Sequence, residues 1–163
     1  MLANTLGSDP YFKGKTVLLL DKDAKKTNDR TWCFWEENEG DFDSIITKSW
    51  NQIQFYGQSY GGAQEIAPYN YKMLRGLDFY NNYLNNIQSY DNVSFLQDLV
   101  TAVTDHKNYV EVTTKSAAFR GTKVFNSIFD YRLLHEQTKY PVLQQHFIGW
   151  FIKSDKPIFN PDK

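Results

Sequence analysis

The segment Lys15-Thr16-Val17-Leu18-Leu19-Leu20-Asp21 constrains this chain more than any other. Entered through Gly14 and closed by the charged stretch 21–26, it is apolar without alternation. That pattern belongs to a β-strand covered on both faces, as in a parallel sheet, and such a strand needs parallel neighbours. The rest of the chain supplies few candidates. After polar residues 27–30 comes Thr31-Trp32-Cys33-Phe34-Trp35, a β-rich segment with large rings on both faces. It predicts a sandwiched strand in which Cys33 is an inert buried thiol.

Asp43 is placed to cap a short helix running to Ser49. Residues 52–56 alternate with period two, and Gly61-Gly62 reads as a turn before a short strand over 63–66. Pro68 and Asn70 open the best helical pattern, 71–90, with Leu74, Leu77, Leu84 and Ile87 near helical spacing. The pattern then returns to β over 93–96, 100–104, 109–114 and 123–128, with a last strand over 146–152. The whole is a mixed α/β plan with an antiparallel component and neither repeat nor linker.

Composition removes several function classes. At 41% hydrophobic and 23% charged over 163 residues, the chain is globular. Lys plus Arg number 18 against 19 Asp plus Glu, so no net charge draws it to nucleic acid. A single cysteine forms no internal disulfide and no zinc module. The longest aliphatic run, 17–20, is far short of the roughly 20 residues of a membrane span, and residues 1–7 lack the features of a secretory signal. Against this ordinary background, 12 Phe, 11 Tyr and 4 Trp make up 17% of the chain. Either a thick β-rich core or a π-lined ligand surface accounts for them.

Few residues carry chemistry. Asp21, just past the apolar strand, stands where dinucleotide-binding folds place the acid that holds an adenosine ribose, but only Gly7 and Gly14 precede it, so the usual glycine fingerprint is missing. A strand-end charge in water is the plainer account of it. Arg75 and Asp78 are three apart on the expected helix, as in a surface ion pair, and Gly76 between them needs a reason, most naturally the close approach of another backbone or a ligand. His106, His135 and His146 have no metal-ligand spacing, and Ser127 lacks a nucleophile elbow. Trp32, Phe34 and Trp35, with Phe147 and Trp150, serve either as core or as the lining of an apolar channel.

Taken together, four segments resemble the lycopene cyclase family: Leu18-Leu19-Leu20-Asp21 with Asn28-Asp29-Arg30-Thr31-Trp32-Cys33-Phe34-Trp35; Tyr71 through Arg75 and Asp78 to Phe79; Val124-Phe125-Asn126-Ser127; and Gln144-Gln145-His146-Phe147-Ile148-Gly149-Trp150 with Asp155-Lys156-Pro157. Asn126 departs from the family, which has an aspartate at that turn. The resemblance implies ring closure of lycopene or a related carotenoid, started by an acid and without net redox change. It implies FAD, with NAD(P)H as reductant, Asp21 at its ribose and Arg75 near the flavin or its phosphates. It gives Trp32, Phe34, Trp35, Phe147 and Trp150 a substrate-lining role, assigns no catalytic residue and no metal, and places the protein in the cytoplasm, peripheral to the inner face of the membrane.

The fold it implies is a partial FAD/NAD(P)-binding Rossmann-like sheet with an added antiparallel β substrate portion. The chain is then one partial domain, an internal piece of a longer cyclase: about 1–40 and 90–130 belong to the dinucleotide-binding part, interleaved with substrate-domain strands about 45–70 and 144–163. Such a piece is expected neither to retain FAD nor to turn over lycopene alone. The competing readings are a related flavoprotein monooxygenase or isoprenoid reductase, and a non-catalytic aromatic-rich binding module with its rings exposed on one flat face.

Overall fold

The computed structural model describes residues 1–136, 138–143, 145–146 and 152–158. In chain order the elements are α1 (Leu2–Ser8), β1 (Val17–Asp21), β2 (Thr31–Glu37), β3 (Lys48–Trp50), β4 (Gln52–Tyr56), β5 (Gly61–Glu65), β6 (Tyr69–Arg75), α2 (Gly76–Gln88), β7 (Val93–Gln97), β8 (Val100–His106), β9 (Tyr109–Thr114), β10 (Ala118–Gly121) and α3 (Arg132–Glu136). The protein is mixed α/β and mostly strand, its strands divided among several sheets.

The apolar run forms β1 and finds its parallel partner in β7, with Val17 opposite Val93 and Asp21 opposite Gln97. A parallel pair needs a crossover, and α2 lies in that crossover directly before β7. Ile87 of α2, Val93 and Ala3 of α1 form a buried cluster with Val17, Leu19, Leu84 and Tyr90 against it. The Asn92 side chain donates to the carbonyls of Leu6 and Phe12, tying the α1 end of the chain to the start of β7. Coverage of β1 is incomplete, because Leu18 on its other face is 36% exposed.

Between β1 and α2 the chain inserts an antiparallel sheet, order β2–β6–β3, and a hairpin of β4 with β5. The first quarter of the expected helix, residues 71–75, is here a strand. Tyr69, Tyr71 and Met73 alternate with Asn70, Lys72 and Leu74, and β6 is paired on both edges, Tyr71 opposite Trp35 on one side and Trp50 on the other. Two ladders of backbone hydrogen bonds outweigh the helical spacing of Leu74 and Leu77, and the helix waits until Gly76, with Arg75 extended at its N-cap (φ -82°, ψ 142°). The helix expected from Asp43 is a single 3-10 turn, Asp43–Ile45, because Lys48–Trp50 pairs with β6 as strand β3. After β7, strands β8, β9 and β10 make a third sheet in the order β10–β9–β8. No strand forms over 123–128; Ala118–Gly121 takes the place beside β9 instead.

Gly76 does have the reason its position demanded. A Cβ there would lie 2.9 Å from the Arg30 carbonyl oxygen, which accepts the Gly76 N–H at 2.8 Å. Replacing Gly76 by Ala should push the 28–30 loop off the helix start and lower stability by about 1–3 kcal/mol. Gly14→Ala, where an added Cβ meets nothing within 4 Å, should change it by no more than about 0.5 kcal/mol. Thermal melts of the two variants check this pair of expectations.

Candidate functional site

The site grows from the side-chain alternation of the β2–β6–β3 sheet. Because residues two apart share a face, Trp32 and Phe34 of β2 fall on one side with Lys72 and Leu74, while Cys33 and Trp35 fall on the other with Tyr71, Met73, Lys48 and Trp50. Rings therefore do lie on both faces of β2, as its sequence indicates. The sandwiched strand is nevertheless corrected: Trp35 is 52% exposed, Trp32 37%, and Cys33 is exposed, not buried.

On the first face, Trp32 meets Phe79 edge-on at 5.3 Å and Tyr80 at 6.2 Å. Phe34 meets Phe42 at 5.9 Å, and Phe42 reaches Phe79 at 6.2 Å. These rings form the contact between the sheet and α2. Lys72, buried at 4% exposure, sits among them. Its ammonium donates to Glu36 Oε2 at 2.9 Å, Asp43 Oδ1 at 2.5 Å and the Asn38 carbonyl at 3.0 Å. A buried cation with three acceptors is satisfied, and it fastens the loop that carries Phe42 to the middle of the sheet. Sequence reading missed Lys72 because it assigned 71–90 to a helix; the alternation of 69–74 was the available signal.

On the second face, Trp35, Tyr71 and Trp50 stand side by side across three strands. The Tyr71 ring centre lies 4.8 Å from that of Trp35 and 6.1 Å from that of Trp50. Burial pushes the Tyr71 hydroxyl pKa up, and the neighbouring Cys33 thiol adds to that.

The two motif regions, 28–35 and 71–79, meet in one joint. Asn28 Oδ1 accepts from the Leu77 N–H at 3.3 Å, the Arg30 carbonyl accepts from Gly76, and Tyr80 donates to Asp29 Oδ1 at 2.9 Å. The first two satisfy the N–H groups of Leu77 and Gly76 at the start of α2. The third, from Tyr80, is the chief cause that holds Asp29 below the usual carboxylate range, while burial raises Tyr80.

Asp21 ends β1, where its carboxylate accepts from the Asp23 N–H at 2.9 Å and pairs with Lys25 at 3.2 Å. Lys25, at φ 56°, also lies 5.3 Å above the Tyr80 ring. Arg75 does not pair with Asp78, which instead accepts from Thr47. Arg75 is exposed at the end of β6, opposite Thr31, with no ion-pair partner among the described residues. Phe147 and Trp150 lie outside the described residues, as does most of the strand expected over 146–152. Among the described residues no group of His, Cys, Asp and Glu is arranged to hold a metal, and no helix is long and apolar enough to cross a membrane.

A parallel strand–helix–strand pair with an inserted antiparallel sheet, one face of it carrying the rings of Trp35, Tyr71 and Trp50 and the other fastened to the helix, defines a mixed α/β protein. The family model for lycopene cyclase protein matches residues 2–163, and the chain belongs to that family. No curated protein and no solved structure matches it. Family membership points to an enzyme of carotenoid cyclisation.

The Lys72 fastening carries a testable pH dependence. Asp43 is held below its ordinary value mainly by the Lys72 hydrogen bond, Asp29 by that of Tyr80, and Asp98 by that of Thr114. Carboxyls lowered in the folded state add stability that is complete above about pH 4 and is lost as pH falls through their folded values. Lys72→Met should lower stability at pH 7 by about 2 kcal/mol. The gap from the unaltered protein should narrow as the pH falls below about 4, which urea unfolding at several pH values measures.

Proposed function

We propose that this protein takes part in forming the β-ionone rings of carotenoids from lycopene or a related carotenoid, by acid-initiated cyclisation without net redox change. The observation that carries this reading is the family match over 2–163. In the reaction an acid protonates a terminal alkene, a neighbouring double bond attacks the cation, and loss of a proton completes the ring. Such cations need an anionic or π-rich surface shielded from water, and aromatic faces supply part of it through cation–π attraction. In this reading Trp35 lines the substrate from the sheet's exposed aromatic face. Trp32 and Phe34 support the same sheet from the side of α2, and Phe147 and Trp150 complete the lining. No acid of this chain is assigned.

The sheet of β1 and β7 is read as part of a Rossmann-like FAD-binding fold, with residues about 1–40 and 90–130 on its side and about 45–70 and 144–163 on the substrate side. Asp21 suits a ribose: it ends a parallel strand, and a carboxylate that takes one N–H and one lysine still has acceptor capacity for a hydroxyl. Arg75, exposed at the start of α2, would meet the flavin or a phosphate. When bound and reduced by NAD(P)H, the flavin would supply negative charge facing the cation. The chain's own residues would contribute part of its binding site, exclude water and seat the polyene, and a peripheral position at the cytoplasmic face of a membrane would give access to a lipid-dissolved substrate.

Disrupting the gene in the organism that encodes this protein should replace ring-bearing carotenoids by lycopene in its pigment chromatogram. An unchanged profile would contradict the reading. One carboxylate and one cation are a weak hold on a dinucleotide, so the 163-residue chain purified alone should carry no stoichiometric flavin and cyclise no lycopene. Flavin absorbance that persists through gel filtration would overturn that expectation.

A further inference from the structure

We propose that the aromatic face of the β2–β6–β3 sheet seats the reacting end of the polyene on Tyr71 and Trp50 as well as Trp35, with the developing cation directed toward Glu37. This rests on the reading of the protein as a carotenoid cyclase and names the residues and the direction of binding. The strand register supplies the argument. Going along β6, that face carries four successive rows: Tyr69 opposite Glu37; Tyr71 between Trp35 and Trp50; Met73 between Cys33 and Lys48; and Arg75 opposite Thr31.

The rows cover about 20 Å from one end to the other at the usual strand rise, and their charges are sorted. Among the described residues of these three strands on this face, the only acid is Glu37 in the first row, and the two cations are Lys48 in the third row and Arg75 in the fourth. Between Glu37 and Lys48 lies the ring row, and the Met73 thioether and the Cys33 thiol share the row of Lys48.

A conjugated hydrocarbon suits the middle of this face. It has no hydrogen-bonding group, so it asks only for apolar area and ring faces, and the three rings present these at centre spacings of 4.8 and 6.1 Å. Tyr71 is the central ring, flanked by Trp35 and Trp50. The cation formed on protonation is complementary to the negative ring faces and to Glu37, and it is repelled by Lys48 and Arg75. The charge pattern therefore points the reacting end toward Tyr69 and Glu37 and the unreacted polyene toward the Lys48 and Arg75 end.

The test uses the 163-residue chain and two probes: lycopene in detergent micelles, and an isoprenoid ending in a dimethylammonium group, which copies the charge of the cation. Binding is read by quenching of tryptophan fluorescence for lycopene and by calorimetry for the ammonium probe. Trp50→Leu and Tyr71→Leu should each weaken lycopene binding roughly tenfold, Trp50→Phe should restore most of it, and Tyr56→Leu on the β4–β5 hairpin should leave it unchanged.

Glu37→Gln should weaken the ammonium probe at least threefold with lycopene unaffected, and Lys48→Met should strengthen it. These two charge changes keep the proposal testable if a ring variant fails to fold. Binding of both probes with no response to any of these substitutions would overturn the inference and leave the cyclase reading intact. Failure of the unaltered chain to bind either probe would overturn the inference, whereas the cyclase reading is tested separately by the pigment profile after gene disruption.

Discussion

Everything in this molecule turns on the contact between Gly76 and the backbone of Arg30. At that point the chain passes from strand β6 to helix α2, and the loop 28–30 caps the helix through Asn28 and the Arg30 carbonyl, while Asp29 accepts from the Tyr80 hydroxyl. The strand side belongs to the antiparallel sheet and the helix side to the parallel pair, so one joint fixes the position of the aromatic sheet against the β1–β7 layer. A side chain at Gly76 would meet that carbonyl directly, which explains a glycine at a position where a helix former would otherwise be preferred. Two motif regions that are far apart in sequence are therefore two halves of one structural contact.

The second dependence is electrostatic. Lys72 lies in the middle strand, nearly buried, and its ammonium binds Glu36, Asp43 and the Asn38 carbonyl. Without those acceptors a lysine there would be costly. With them it holds the 38–45 loop, and so Phe42, against Phe34 and Phe79. Phe34 and Trp32 thus serve the face that meets α2, which leaves Trp35, with Tyr71 and Trp50, to present rings on the other.

Parts of this were legible in the sequence. The unalternating run 17–20 gave β1 and its need for a parallel partner, the 52–56 alternation gave β4, and the anomaly of Gly76 correctly announced a close backbone approach. The strand β6 was not legible, because Leu74 and Leu77 happen to fall at helical spacing, and only pairing on both edges, a long-range effect, decides for strand. The same misreading hid Lys72 and Tyr71, whose partners are distant in sequence. Exposure of Cys33 and Trp35 was equally invisible, since an aromatic β segment looks the same from either side until its neighbours are known. The resemblance seen in residues 18–35 and 71–79 agrees with the family match over 2–163.

A polyene has no polar group to recognise, so a protein that holds one depends on where its rings are and which charges border them. Photolabelling addresses this directly: a diazirine-bearing isoprenoid is irradiated with the protein and the labelled peptides are identified by mass spectrometry. The account predicts label on residues 33–37, 48–50 and 69–73, suppressed by excess lycopene. Label confined to other segments, or spread evenly and unaffected by lycopene, would contradict it.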